Sequence, residues 1–234
     1  MKRRAVLFDV GGPIDTETDW EETMDRLIRA EVEAATGAPV PDDTYAAAWE
    51  AAVASHAPNA YQAVLWQLMG QDEARTPLAW GRIAAAARQQ RGKPQIRPGI
   101  APLLLALQAQ GIRLALAANQ PAAMLGALAE EGLLHLFAVH GLSGVMDLRK
   151  PDPRFFLHIA EALGRPPEDC VMVGDRVDND IAPARALGMA TILFRTGRHA
   201  AQHPRTWLDV PDATVTDIDS LRRALAAVLR QPGT

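Results

Sequence analysis

Short apolar runs and stretches of helical periodicity alternate along most of this chain. Ala5-Val6-Leu7-Phe8 and Val171-Met172-Val173-Gly174 have the length and composition of strands buried in a parallel sheet. Helical periodicity fills the intervals, as in the helix predicted from residue 100 to residue 110. Such alternation implies right-handed crossovers and a parallel sheet with helices on both faces. Further strands are predicted over residues 113–118, 137–140 and 190–194.

The stretch from residue 16 to residue 95 departs from this alternation, because it contains helical periodicity and no convincing strand. Thr18-Asp19-Trp20-Glu21 has the spacing of a capping box and predicts the start of a long helix. Asp43 is a candidate cap for a second helix, a third is predicted over residues 60–69, and Thr76-Pro77 could open a fourth. The whole stretch is therefore predicted to form a small helical bundle.

These patterns divide the chain into two domains. Residues 1–15 and 96–234 are predicted to form a doubly wound, Rossmann-like α/β core, into which residues 16–95 are inserted as a helical domain. A length of 234 residues suits one core domain with a smaller insertion better than two full-sized domains.

Composition and charge argue against several classes of protein. With 48% hydrophobic and 22% charged residues, the chain has ordinary globular composition. A net charge of -4 and three scattered lysines provide no basic stripe, so nucleic acid is not an expected partner. No apolar run has membrane-spanning length or resembles a signal peptide, so we expect no membrane partner and a cytoplasmic location. The single cysteine, Cys170, fits a reducing compartment, and either a monomer or a homodimer is compatible with the sequence.

Charged side chains follow the predicted strands at their carboxyl ends. Asp9 ends the first apolar run and Asp175 ends a later one, with Asp180 five residues further on. The carboxyl ends of parallel strands meet at the edge where ligands bind, so these acids are predicted to converge. Carboxylate oxygens are ligands that Mg²⁺ prefers, and Lys150, placed before the rigid turn Pro151-Asp152-Pro153, adds a compact positive charge. This combination predicts phosphoryl chemistry.

Four segments, in this order, resemble the signature motifs of the haloacid dehalogenase-like hydrolases. The resemblance spans essentially the whole chain, and the helices inserted after the first motif resemble the cap that this family places between its first two motifs. The third and fourth segments are the more specific ones. In chain order the segments are Phe8-Asp9-Val10-Gly11-Gly12, Leu116-Ala117-Ala118-Asn119, Lys150-Pro151-Asp152-Pro153 and Gly174-Asp175-Arg176-Val177-Asp178-Asn179-Asp180.

The resemblance implies a function and a set of residue roles. It implies hydrolysis of a small phosphorylated metabolite, a phosphomonoester, with Mg²⁺ as cofactor and an aspartyl-phosphate intermediate. Asp9 would be the nucleophile and Lys150 would orient the phosphate, which Asn119 and Gly12 would also bind. The metal ligands implied by the resemblance are Asp9, the carbonyl of Gly11, Asp175 and Asp180.

Two positions depart from the pattern of the family's phosphatases. These enzymes usually carry a second aspartate two residues after the nucleophile, which protonates the leaving oxygen and then activates water, and here that position is Gly11. Ala118 stands where the second motif usually provides a hydroxyl. General acid–base catalysis contributes on the order of 10² to 10⁴ in rate, so the loss of this acid is expected to slow turnover. Asp15, just behind the loop, is a candidate replacement for the missing acid, with helix capping as its alternative role.

Two other functions are compatible with the same fold. The dehalogenase branch of the family also lacks the second aspartate and displaces halide without a metal, but Asp175 and Asp180 would repel Asp9 unless a cation lay between them. A catalytically weak binding or scaffold protein would account for both departures. The phosphonate-cleaving branch is disfavoured, because its chemistry uses a lysine of the cap and residues 16–92 contain none.

Overall fold

The structure, a computed structural model, describes residues 4–230. Within that range six strands form one sheet, and none of the helices has the length and apolar character needed to cross a membrane. The strands are β1 (Ala5–Phe8), β2 (Arg113–Ala118), β3 (Val139–Leu142), β4 (Cys170–Gly174), β5 (Ala190–Phe194) and β6 (Ala213–Val215). The helices are α1 (Thr18–Thr36), α2 (Asp42–Ala54), α3 (Ala60–Leu68), α4 (Arg75–Gln90), α5 (Ile100–Ala109), α6 (Ala123–Glu130), α7 (Pro153–Ala162), α8 (Ala182–Ala186) and α9 (Ile218–Val228).

The strands are parallel and lie in the order β3-β2-β1-β4-β5-β6. β1 lies between β2 and β4, with Leu7 opposite Ala115 on one side and Met172 on the other. The chain builds the sheet outward from β1 in one direction and from β4 in the other. The carboxyl ends of β1 and β4 therefore border the crevice in which open α/β sheets bind ligands.

Alternate residues of β1 belong to two different hydrophobic clusters. Val6 and Phe8 pack in a cluster with apolar residues of α5, α6 and α9, whereas Ala5 and Leu7 pack in a cluster with apolar residues of α7 and α8. All four residues are fully buried. Helices therefore cover both faces of the sheet, which confirms the predicted doubly wound, Rossmann-like core.

The chain divides into two compact units at boundaries after Thr16 and after Lys93. The sequence pattern predicts these boundaries after residues 15 and 95. The inserted unit contains α1 to α4 and has a hydrophobic core of its own, in which Ile28 and Leu65 are fully buried.

The tryptophans are distributed unevenly between the two units. Four of the five, Trp20, Trp49, Trp66 and Trp80, belong to the inserted helices. Trp49 is buried, and its ring meets that of Tyr61 edge to face, with the centroids 5.1 Å apart. Trp207, which belongs to the α/β unit, is 75% exposed.

Two helix starts differ from the sequence prediction. The predicted capping box is wrong, because α1 already begins at Thr18 and the residue before it, Glu17, has a φ of 60° and a side chain that does not cap the helix. α2 begins at Asp42 behind Pro41, so Asp43 lies inside the first turn rather than at the cap.

Two strands also differ from the sequence prediction. β3 covers Val139–Leu142 rather than residues 137–140, because the preceding Leu134–Leu136 form a 3₁₀ turn that extends the connection from α6. β6 was not predicted. It contains three residues, of which only Val215 is buried, so its apolar signal in the sequence is weak.

Candidate active site

Two neighbouring strands each place an aspartate at the carboxyl edge of the sheet. Asp9 directly follows β1 and Asp175 directly follows β4, while Asp180 lies in a π-helical turn of five residues, Val177–Ile181. One carboxylate oxygen of each aspartate lies within 4.8 Å of the others. The parallel pairing of β1 with β4 accounts for this convergence. The structure thus brings together the three acids that the sequence analysis singled out.

The ammonium group of Lys150 lies between two of these carboxylates. Its Nζ is 2.8 Å from Oδ2 of Asp9 and 2.6 Å from Oδ1 of Asp180, and the residue is only 2% exposed. Burial alone would lower the pKa of Lys150, but the charges of Asp180 and Asp9 outweigh burial and raise it, so the side chain stays protonated. Burial raises the pKa of Asp180 even though Lys150 attracts its charged form. One ammonium shared by two carboxylates does not neutralise both.

Asn119, which follows β2, holds the backbone of Lys150. Its side-chain amide nitrogen donates to the carbonyl of Lys150 and its side-chain oxygen accepts from the N–H of Lys150, each at 2.9 Å. This reciprocal pair fixes the residue whose side chain reaches the aspartates. The role of Asn119 as a phosphate ligand stays a prediction, and its contact with Lys150 was missed because no sequence pattern links the two.

A close approach between Gly174 and Asp180 shapes the turn after β4. A Cβ added to Gly174 would lie 2.3 Å from Cγ of Asp180, so a side chain at this position would displace the carboxylate. Oδ2 of Asp180 accepts the backbone N–H of Arg176 at 3.0 Å, and the N–H of Asp180 donates to the carbonyl of Arg176 at 3.0 Å. The turn therefore holds Asp180 through its carboxylate and through its backbone N–H.

Gln202 supports the same turn from a distant segment of the chain. It is fully buried, its Oε1 accepts the backbone N–H of Val177 at 2.6 Å, and its Nε2 donates to Oδ1 of Asp178 at 2.9 Å. Asp178 also pairs with the guanidinium of Arg176 at 2.5 Å. Gln202 was not predicted as part of the site, because a single glutamine in a polar segment carries no recognisable signal.

The loop after β1 is held by contacts within the α/β unit. Gly12 has a φ of 81°, and a Cβ there would lie 2.9 Å from Cβ of Asp175. Its N–H donates to the carbonyl of Asp15 at 2.8 Å, and its carbonyl accepts from Nε of Arg97 at 2.7 Å. Arg97 also donates to Oγ1 of Thr196 at 3.0 Å. Both backbone polar groups of Gly12 are engaged inside the protein, and its predicted contact with phosphate stays a prediction.

The two positions that depart from the family pattern and the candidate replacement acid are all buried. Gly11 lies in the loop after β1, and Ala118, the last residue of β2, is fully buried. Asp15 is 6% exposed, and its Oδ1 accepts the backbone N–H of Gln95 at 2.8 Å. Asp15 therefore ties the loop to the segment that re-enters the α/β unit, and its role as a replacement acid stays a prediction.

The donor set of the site fits a hard divalent cation. Asp9, Asp175 and Asp180 offer only oxygen ligands, and Mg²⁺ prefers oxygen. The ammonium of Lys150 contacts Asp9 and Asp180, and the charge of Asp175 also acts on the guanidinium groups of Arg97 and Arg176. Like charges this close repel strongly unless a cation lies between them. Among the residues described by the structure, no other cluster of three metal-ligating side chains is found.

The model of the haloacid dehalogenase-like hydrolase family matches residues 3–188 of the chain. The chain belongs to this family. Its four motif segments, identified from the sequence by resemblance, all lie within the matched range. As a haloacid dehalogenase-like hydrolase it is an enzyme, and the acids of its first and fourth motifs form the cluster described above.

Relatives of this hydrolase include named phosphatases. It is similar to the glyceraldehyde 3-phosphate phosphatase of Methanopyrus kandleri, with 29% identity over 96% of this chain and 97% of the relative. Its fold is similar to a structure from Haemophilus somnus described as a predicted phosphoglycolate phosphatase, with a TM-score of 0.70 and 19% identity over 95% of this chain and 98% of that one. It is also similar to a Bacillus subtilis structure described as a HAD-hydrolase bound to magnesium, with a TM-score of 0.63 and 18% identity over 97% and 100% of the two chains.

Proposed function

We propose that this hydrolase removes phosphate from a small phosphorylated metabolite, with Mg²⁺ as cofactor and Asp9 as the nucleophile. The observation that carries the proposal is the cluster of Asp9, Asp175 and Asp180 beside the buried ammonium of Lys150. Two comparisons support it. The relative from Methanopyrus kandleri is named for a phosphatase activity on a small phosphate ester, and the Bacillus subtilis structure with this fold was solved with magnesium.

Two contacts fix the carboxylate of Asp9, the proposed nucleophile. Its Oδ1 accepts the N–H of Val10 at 2.7 Å and its Oδ2 contacts Lys150, while 13% of the side chain remains exposed to a ligand. In the proposed reaction an oxygen of Asp9 forms a bond to phosphorus, and the bond from phosphorus to the leaving oxygen breaks, which produces an Asp9-phosphate. Water then hydrolyses this acyl phosphate and restores the carboxylate.

In the proposed reaction, Mg²⁺ and Lys150 would offset the negative charge around the phosphoryl group. Mg²⁺ held by the carboxylates of Asp9, Asp175 and Asp180 and by the carbonyl of Gly11 would polarise the phosphoryl oxygens. Lys150 would pair with the same oxygens as a compact point charge, which reduces the repulsion between the carboxylates and an anionic substrate. Asn119 keeps Lys150 in place through the two backbone contacts described above.

The proposal is tested by measuring phosphate release from a generic aryl phosphate at neutral pH. We expect release to require Mg²⁺, to stop when EDTA is added, and to return when Mg²⁺ is restored in excess. The variant Asp9→Asn keeps the size of the side chain but removes the nucleophile, so we expect it to lose activity to the level of the protein-free control.

The matched control is Asp219→Asn, since Asp219 is an exposed aspartate of α9 that lies outside the cluster. This variant should keep the activity of the natural chain. Release that continues unchanged in Asp9→Asn, or in the presence of EDTA, would contradict the proposed function.

A further inference from the structure

Within the part of the α/β unit that the structure describes, four ionisable groups near Asp9 are already engaged. Lys150 is held between two carboxylates, and Asp175 and Asp180 belong to the proposed cation site. The carboxylate of Asp15 is buried and accepts the backbone N–H of Gln95. The position two residues beyond Asp9 is Gly11, which has no side chain at all. The α/β unit therefore supplies a nucleophile and positive charge, while its nearby acids have other partners.

Without a free acid beside Asp9, the rate of the reaction depends on how basic the leaving oxygen is. An alkoxide released from an alkyl phosphate is a strong base, and it leaves readily only when an acid donates a proton as the bond to phosphorus breaks. The carboxylate released from an acyl phosphate is a stable anion at neutral pH and needs no proton. The same is true of the phenolate released from an activated aryl phosphate. A site of this kind discriminates between substrates by the acidity of the leaving group.

We infer that the substrate of this site is an activated phosphoryl compound of the acyl phosphate class, whose leaving group departs as a stable anion. The inference rests on the proposed function and narrows its substrate. In the first step an oxygen of Asp9 forms a bond to phosphorus and the bond from phosphorus to the leaving oxygen breaks. The electron pair stays on the leaving oxygen as a carboxylate, and no proton is transferred.

Hydrolysis of the Asp9-phosphate, the second step, also proceeds without help from a protein side chain that transfers a proton. The oxygen of water forms a bond to phosphorus, the bond from phosphorus to Asp9 breaks, and the proton lost by water passes to the phosphate product or to solvent. A general base would accelerate this step by about 10² to 10⁴. Because Gly11 offers no base, the Asp9-phosphate accumulates during turnover.

The first test compares leaving groups on the full chain with saturating Mg²⁺. Acetyl phosphate and ethyl phosphate are nearly equal in size, and a series of substituted phenyl phosphates provides graded acidity. We expect kcat/KM to increase with the acidity of the leaving group, and acetyl phosphate to exceed ethyl phosphate by at least about 10²-fold, the usual contribution of a catalytic acid. A smaller ratio would show that an acid serves the leaving oxygen and would overturn the inference.

The second test looks for the accumulated intermediate. Rapid mixing with an activated phenyl phosphate should release a burst of phenol equal in amount to the enzyme, followed by a slower steady rate that is the same for every activated substrate. A time course without a burst would overturn the slow second step.

A pair of variants at one position separates proton transfer from size. Gly11 is not among the glycines with a positive φ, so a side chain there meets no penalty from a left-handed backbone. Gly11→Asp adds an acid and base, and we expect it to reduce both the burst and the ratio of acetyl to ethyl phosphate. Gly11→Asn adds the same bulk without a transferable proton and should leave the ratio high. If neither variant folds, the ratio and the burst of the natural chain still decide the inference.

The two proposals fail in different ways. Phosphate release that ignores Asp9→Asn or EDTA would contradict the proposed function. Release that depends on both Asp9 and Mg²⁺, but treats acetyl and ethyl phosphate alike, would contradict only the substrate class.

Discussion

Lys150 offsets part of the negative charge of the candidate active site. Its ammonium lies 2.8 Å from Asp9 and 2.6 Å from Asp180, in surroundings that exclude most solvent. Removing one partner from a buried set of charges leaves the others uncompensated, and this loss is larger than the net value of the pair itself. The effect of replacing Lys150 should therefore appear in stability as well as in activity.

The variant Lys150→Met keeps a long side chain but removes the charge. We expect the free energy of unfolding without magnesium to fall by about 3–5 kcal/mol, measured by urea denaturation at neutral pH. The loss should shrink at acidic pH, because burial raises the pKa of Asp180 and its carboxylate then takes up a proton. Lys93→Met, at an exposed position, should stay within about 0.5 kcal/mol of the natural chain. Equal stability of both variants would contradict this account of the charge balance.

The acids of the site could be predicted from the sequence, but the residues that hold them could not. Asp9, Asp175 and Lys150 stand next to apolar runs or rigid turns of recognisable composition. The contact of Asn119 with Lys150 spans 31 residues, and that of Gln202 with the turn after β4 spans 25. Such contacts form only when the sheet is assembled, so no local sequence pattern predicts them.

The turn after β4 requires a glycine for packing rather than for backbone freedom. The three atoms nearest to a Cβ on Gly174 all belong to Asp180, the closest at 2.3 Å. The end of the strand and the turn that follows it are thus packed against each other without a spacer. Any side chain at Gly174 has to push the carboxylate of Asp180 away from the cluster.

The variant Gly174→Ala tests this packing. We expect it to lower the free energy of unfolding by about 1–3 kcal/mol, as overpacking does, and to weaken magnesium binding measured by titration calorimetry. The matched control is Gly126→Ala in α6, where an added Cβ meets no atom within 4 Å. That variant should gain about 0.5–1 kcal/mol, because alanine favours a helix over glycine, and should bind magnesium normally. Normal binding in Gly174→Ala would show that Asp180 does not depend on this contact.

Elements with a strong internal pattern were predicted from the sequence, and weaker ones were not. β2 and β5 have the predicted bounds, since strands buried on both faces give nearly continuous apolar runs. β6, at the edge of the sheet, is too short to show any alternation. The start of α1 was misread because Thr18 has the residue type of a cap but lies inside the helix.

At the scale of the molecule, the two compact units have separate hydrophobic cores, and the acidic cluster belongs to the α/β unit alone. The architecture of that unit was predictable, because the alternation of strands and helices restricts the possible topologies to a few. A cation that binds the folded cluster and not the unfolded chain stabilises the folded state by mass action. Magnesium should therefore raise the thermal stability of the α/β unit.

Thermal unfolding at increasing Mg²⁺ concentration checks this expectation. At a concentration one hundred times the dissociation constant, the ion should contribute about 2.7 kcal/mol, seen as a rise in Tm. Asp175→Asn removes one proposed ligand and should abolish most of the rise, whereas Asp219→Asn should retain it. Potassium at matched ionic strength should have little effect. A Tm that does not respond to Mg²⁺ would contradict the proposed cation site.

The uneven placement of the tryptophans gives the two units different optical signatures. Intrinsic fluorescence comes mainly from the inserted helices, which contain four of the five indole rings, so a shift of the emission maximum in denaturant reports chiefly on that unit. Trp207 is accessible to water, and iodide will quench it before it reaches the ring of Trp49. One unlabelled sample can therefore distinguish unfolding of the helical unit from events in the α/β unit.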